Sequence, residues 1–307
     1  MKIITLVFAV LLSVCVPTWL IVEVAHATDA GPESVKTQSH DNHPQATFVV
    51  NVSTDQPDSF IGDGICDVDP ITPGNQCTLR AAIQEANASV SSDNISFSIP
   101  GNGLHLIQLS NNLPIITSQV VIDGYTQPGS VANTLPVGNN AILNIEVRQT
   151  VFNANLFVIS SGNSSIRGLV LNATSDGQSS AALLNFTTNG GNRVEGCWFG
   201  INPDGTVSSL HTTFGVRLNS SDNVVGGSSA GSRNIITNLT QGGIVDSDAG
   251  GLTVQNNYFG TNPSGSEALG TLPVAINCGD NALIGGSDVA MRNVVVADPR
   301  GGRNNRR

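Results

Sequence analysis

Trp198-Phe199-Gly200-Ile201-Asn202-Pro203-Asp204-Gly205-Thr206 returns sixty positions later as Tyr258-Phe259-Gly260-Thr261-Asn262-Pro263-Ser264-Gly265-Ser266. Val225-Gly226-Gly227-Ser228, followed by Arg233-Asn234-Ile235-Ile236, returns as Ile284-Gly285-Gly286-Ser287, followed by Arg292-Asn293-Val294-Val295. A fixed period with short apolar runs between Gly and Asn turns reads as a stacked architecture, because each unit buries its apolar face only against its neighbours.

Working outward, the apolar runs sort into three columns. One holds Leu156-Phe157-Val158, Leu183-Leu184, Val216-Arg217-Leu218, Gly243-Ile244-Val245 and Val274-Ala275-Ile276. A second holds Ile166, Val194, Val224, Val254 and Leu283. A third holds Val170-Leu171, Trp198-Phe199, Ile235-Ile236, Tyr258-Phe259 and Val294-Val295. Three strands per turn and two turns per repeat predict an all-β, parallel β-helix over residues 113–299. Adjacent turns then lie about 4.8 Å apart. Asn192, Asn223, Asn234 and Asn293 recur at the turns, where they suit left-handed corners and can ladder from turn to turn.

Composition agrees. Charged residues are 12% and Gly numbers 33, which argues for short strands and tight turns rather than salt-bridged helices. The net charge of −10 argues against nucleic acid as a partner. Lys2, apolar Ile3 to Val22 and Ala25-His26-Ala27 read as a signal peptide over residues 1–27, cleaved before Thr28, with an uncleaved membrane anchor as the alternative. The expected location is therefore secreted or cell-surface, with no membrane insertion after cleavage. Residues 28–46 are polar and aperiodic, hence a linker. In an oxidising compartment Cys66 and Cys77 bracket a short loop and are expected to pair, stabilising by roughly 2–3 kcal/mol on the chain-entropy model. Cys197 and Cys278 are expected to pack as small apolar groups.

One helix is expected, at Thr78 to Asn87. Leu79, Ala82, Ile83 and Ala86 form an apolar stripe, with Thr78 as N-cap and Asn87 as the stop. It belongs to an N-terminal cap segment, 47–112, that covers one end of the stack. Here the chain resembles a known group. Cys77-Thr78-Leu79-Arg80-Ala81-Ala82, preceded by Gly62-Asp63-Gly64-Ile65-Cys66-Asp67, is similar to the Cys-Ser-Leu-Arg-Glu-Ala (CSLREA) type N-terminal segment of exported β-helix repeat proteins. Thr78 stands for Ser and Ala81 for the first Glu. Ile122-Asp123-Gly124-Tyr125-Thr126-Gln127-Pro128-Gly129 matches the same group, as do the Tyr-Phe-Gly-Thr-Asn-Pro and Ile-Gly-Gly motifs. The resemblance runs from about Thr47 to Val296. It implies a right-handed parallel β-helix on surface or secreted proteins and implies no agreed activity.

Chemistry is hard to find in the sequence. Glycoside hydrolysis asks for two opposed carboxylates. The candidates are Asp246 with Asp248, then Asp176, Glu195, Asp222 and Asp280. Asp222 and Asp280 precede Gly-Gly turns, and Asp204 becomes Ser264 in the next repeat, so they read as turn residues. Asp246 and Asp248 are the least repeated pair and the best catalytic candidates, although an Asp-rich turn explains them without catalysis. The arginines Arg148, Arg167, Arg193, Arg217, Arg233 and Arg292 look scattered. Asp55, Asp58, Asp63, Asp67 and Asp69 are candidate Ca²⁺ ligands, but they lack the Asp-x-Asp-x-Asp-Gly loop. No other cofactor is expected. The expectation is a non-catalytic surface for adhesion or glycan binding, with a polysaccharide, surface glycan or protein as partner. The alternative is a carbohydrate-active lyase, hydrolase or epimerase on the same scaffold. The repeat also predicts a further turn after Val296, where an Arg-rich tail (300–307) stands instead; that mismatch is expected of a truncated product.

Overall fold

The computed structural model describes residues 45–247 and 250–296. The chain is mostly β, with three parallel sheets and, among the described residues, one α-helix. Sheet A has eight strands: Thr47–Val50, Asp93–Phe97, Val120–Asp123, Ser165–Arg167, Arg193–Glu195, Val224–Gly226, Thr253–Gln255 and Leu283–Ile284. Sheet B has seven: His105–Leu109, Ile145–Gln149, Val170–Ala173, Trp198–Phe199, Ile235–Ile236, Tyr258–Phe259 and Val294–Val295. Sheet C has five: Phe157–Ile159, Ala182–Phe186, Thr212–Leu218, Leu239–Asp246 and Ile276–Asn277. From Ser165 onward the chain visits A, B and C in turn and returns to A one strand further along. Sheet A spans about 34 Å at the usual strand spacing.

The three sheets share one apolar interior. Sheet A contributes Ile95, Ile122, Ile166, Val194, Val225 and Val254 in register. Sheet B contributes Ile107, Val147, Leu171, Phe199, Ile236 and Phe259, and sheet C contributes Phe157, Leu184, Val216 and Ile244. Each fully buried side chain of this kind stabilises by roughly 1.5–3 kcal/mol. The predicted third column matches these pairings residue by residue, and each run of the first contains its paired residue, though at a shifting place: Phe157, Leu184, Val216, Ile244 and Ile276. The second column is off by one at two strands: Val225 and Ile284, not Val224 and Leu283, continue the inward row from Val194 and Val254. Successive strand residues face opposite sides, so Val224 and Leu283 belong to the outer face.

The asparagines do ladder. Asn192 Oδ1 accepts from the Ser164 N–H (2.9 Å), and Asn223 Oδ1 accepts from the Asn192 N–H (3.1 Å). At the next corner Asn234, Asn257 and Asn293 form a second ladder, with Asn234 Nδ2 donating to Asn257 Oδ1 at 2.8 Å and Asn257 Nδ2 to Asn293 Oδ1 at 3.1 Å. Asn163 and Asn281 have left-handed backbone, and at Asp222-Asn223 and Asn256-Asn257 it falls on the residue ahead of the ladder asparagine, not on the asparagine itself. One residue turns the chain and the next uses its amide to satisfy backbone groups of the adjacent turn.

From Arg193 onward the turns alternate. Trp198–Phe199 follows a tight corner, Gly196-Cys197, and precedes a long loop whose tip is a small hairpin closed by Ile201 and Val207. Ile235–Ile236 follows a long loop containing a 3-10 turn at Ala230–Ser232 and precedes a tight corner, Thr237-Asn238. Tyr258–Phe259 repeats the first kind of turn, with its hairpin closed by Thr261 and Ala268. The sixty-residue period is this pair of unlike turns.

The helix spans Leu79–Ala88 and packs against the first two strands of sheet A. Thr78 caps it, its Oγ1 accepting from the Ala81 N–H at 3.0 Å. The helix runs one residue past Asn87, to Ala88, with Ser89 as the C-cap, and Asn87 instead ties the helix to the following turn through Ile115 O (2.7 Å) and the Thr117 N–H (2.8 Å). The predicted stripe is buried, together with Ala81 and Glu85. Cys66 and Cys77 form a disulfide. Strands within residues 47–112 already belong to sheets A and B, so the cap segment and the stack share their sheets.

Candidate functional site

Sheets A and B differ in their outer faces. The outer row of sheet B, Val170, Trp198, Ile235 and Tyr258, is buried in a second apolar cluster with Leu143 and Ile201. Residues 124–144 leave sheet A, run across this face and return as a sheet B strand. Tyr125 pins the start, its hydroxyl donating to Gly196 O at 3.1 Å. No side chain fits at Gly196, where a Cβ would lie 2.1 Å from that hydroxyl. Arg233 pins the middle. Its guanidinium donates to the carbonyls of Leu135 (3.1 Å), Pro136 (2.8 Å) and Gly138, and to Asn256 Oδ1 (2.7 Å), and it lies over the Tyr258 ring. Burial lowers its pKa from the usual arginine value. Glu146, also on this face, is buried and holds Arg148 at 2.7 Å and Asn172 Nδ2 at 3.1 Å. This face is filled by the chain itself.

The outer face of sheet A is open, and its side chains are polar over most of its length. Thr47, Asn94, Ser96, Ser165, Thr253 and Gln255 are half-buried or exposed there. In its middle, Asp123, Arg167 and Glu195 stand in register on three neighbouring strands, with Arg193 beside them. Arg167 donates to Asp123 at 2.7 Å and Arg193 to Glu195 at 2.9 Å. The Asp123 hydrogen bond, reinforced by both neighbouring carboxylates, raises the Arg167 pKa above its ordinary value. The arginines that look scattered in sequence thus converge in part, because residues one turn apart in the chain are neighbours in the sheet.

The remaining candidates fall elsewhere. Asp246 pairs in register with Leu218, which pairs with Phe186; it is buried and occupies the inward row of sheet C. Asp248 lies outside the described residues. Asp176 accepts from the N–H groups of Gln178 and Ser179 (2.8 and 3.1 Å), and Asp204 from the Thr206 hydroxyl and N–H (2.6 and 2.9 Å); these bonds lower both pKa values. Asp222 is a left-handed corner residue.

The N-terminal aspartates do not converge. Asp55 pairs with Arg80 at 2.8 Å. Asp58 accepts from the Phe60 and Asp67 N–H groups, Asp63 from Ile65, Asp67 from Asp69 and Gln76, and Asp69 from Ile71 and Thr72. Among the described residues no group of three or more His, Cys, Asp or Glu side chains is placed to hold a metal ion. Cys197 is buried, which pushes its thiol pKa up to about 12 and leaves it inert as a nucleophile. Compared with protein-family models, curated proteins and solved structures, the chain matches none of them. Function rests on the geometry alone.

Proposed function

We propose that the protein is an exported, right-handed parallel β-helix of the CSLREA-segment type that presents the outer face of sheet A for adhesion or glycan binding, without catalysis. The supporting observation is the pairing of charges on that face. Asp123 and Glu195 are each joined to an arginine, so the face is a flat array of balanced charges and polar side chains. Such a surface offers hydrogen bonds to a neutral glycan without the uncompensated charge that catalysis exploits.

A second reading, a glycoside-cleaving enzyme, is favoured by the same residues in one respect: two carboxylates and two arginines share three adjacent strands. Asp123 and Glu195 are two strands apart, about 10 Å at the usual spacing. That lies at or beyond the upper limit of about 9.5 Å for carboxyl groups flanking a scissile bond. Arg167 also occupies the ground between them.

A glycan-array screen combined with reducing-sugar and unsaturated-product assays separates the two readings. Binding without product, lost in the double variant Asp123→Ala/Arg167→Ala, is the expected outcome. Turnover abolished by Asp123→Asn, Glu195→Gln, Asp246→Asn or Asp248→Asn overturns it.

A further inference from the structure

The segment between the first strand of sheet A and the helix displays apolar side chains outward from a tightly held backbone. Phe60 is 65% exposed, Ile61 57%, Ile65 50% and Ile71 91%. These are large values for a segment with so many fixed bonds. The buried Glu85 carboxylate, projecting from the helix, accepts from the Gly62 N–H at 2.6 Å and the Gly64 N–H at 2.8 Å. Both glycines have left-handed backbone, φ +92° and +79°, so a residue with a side chain is strained at either place. Asp58 grips the two flanks, accepting from the Phe60 N–H (2.8 Å) and the Asp67 N–H (2.9 Å), while Asp63 holds the Ile65 N–H at 2.8 Å. The Cys66–Cys77 disulfide closes the segment.

Buried Glu85 and Asp58 thus hold the backbone from within and exposed Asp63 holds it from its own turn, while the apolar side chains face solvent. Contiguous exposed apolar residues on a fixed backbone mark interaction surfaces, and a display that is rigid before binding loses little entropy on binding. The charge around them identifies the partner's chemistry. From Gln56 to Leu79 there are four aspartates and no Lys, Arg or His. Asp63 and Asp69 are exposed, and among the described residues neither is ion-paired. Sheet A is different, since its charges are already balanced.

We infer that the Phe60–Ile65 turn is a docking knuckle for a protein partner whose surface combines an apolar pocket with a cationic rim. The acidic rim steers such a partner and disfavours an anionic lipid surface. This surface is independent of the glycan reading, and either can fail without the other.

The test uses the full chain and four classes of short synthetic peptide: cationic-apolar, cationic-polar, neutral-apolar and anionic-apolar. Binding is read by fluorescence anisotropy. Only the cationic-apolar class is expected to bind, more weakly as salt rises. Phe60→Ser/Ile61→Ser is expected to weaken binding at least about tenfold, as for a central contact, with an unchanged melting temperature. Cys66→Ser/Cys77→Ser keeps every apolar side chain and is expected to weaken binding by loosening the display. Equal binding of the anionic-apolar class, full binding by the Phe60/Ile61 variant, or no binding by any class overturns the proposal. So does retention of phosphatidylcholine vesicles through Phe60, which would assign the knuckle to a membrane.

Discussion

Sheets A and B are built from successive strands of the same turns, yet one keeps an open outer face and the other hides it. On sheet B the outer row reads Val170, Trp198, Ile235 and Tyr258, and residues 124–144 are laid across it. On sheet A the corresponding row reads Asp123, Arg167 and Glu195, and the charges are tied to one another. The contrast separates stability from recognition. Sheet B carries two cores back to back, whereas the outer face of sheet A is polar and can change with little effect on folding.

That difference can be broken from the sheet B side first. Trp198→Ala should destabilise the protein by about 3–5 kcal/mol, because it empties the centre of the outer cluster; equilibrium denaturation measures the loss. Arg233→Ala should cost about 2–3 kcal/mol by stranding the carbonyls of Leu135, Pro136 and Gly138. It should also raise hydrogen exchange at residues 133–140 more than in sheet A. On sheet A the double variant Asp123→Ala/Arg167→Ala should shift stability by about 1–2 kcal/mol, since the ion pair itself contributes little and the larger part is the hydrogen bond that half-buried Asp123 accepts from the Tyr125 N–H at 3.0 Å. A loss as large as that of Trp198→Ala would show that the two faces share one role.

The smallest expected effect lies at the cap. Burial, opposed by the Gly62 and Gly64 N–H groups, raises the Glu85 pKa above its usual 4.5. A raised carboxyl pKa means that the folded state binds the proton more tightly than the unfolded chain. The added stability is present in full below 4.5 and is lost as pH rises through the folded-state value. Relative to Glu85→Gln, the wild type should therefore gain stability as pH falls from neutrality toward 4.5, as urea midpoints would record.

The same contrast explains what was legible in the sequence. The sheet B column could be read because both residues of Trp198-Phe199 and of Tyr258-Phe259 are apolar, and both faces are buried. The sheet A column slipped at Val224-Val225 and Leu283-Ile284, where two adjacent apolar residues share a strand and only the stacking decides which faces inward. The sixty-residue repeat already aligned Val225 with Ile284, and that alignment was the better guide. The helix and the Cys66–Cys77 pair were legible from local pattern. Asp123, Arg167 and Glu195 were not, because their meeting depends on how many residues each turn consumes. Asp246 read as a catalytic candidate or a turn residue, but its place is fixed by Leu218 in the strand it pairs with.

The alternation of turn types limits how such a protein can change its length. The hairpin at Ile201–Val207 reaches past the intervening turn to the one at Thr261–Ala268, where a Cβ on Gly205 would lie 3.0 Å from the Pro263 ring. Adding a single turn would either set two hairpins side by side or leave two corners of the same kind in succession. Each arrangement asks two loops to share the space of one. Lengthening or shortening without penalty therefore comes in pairs of turns, so a viable deletion should remove about sixty residues and not thirty.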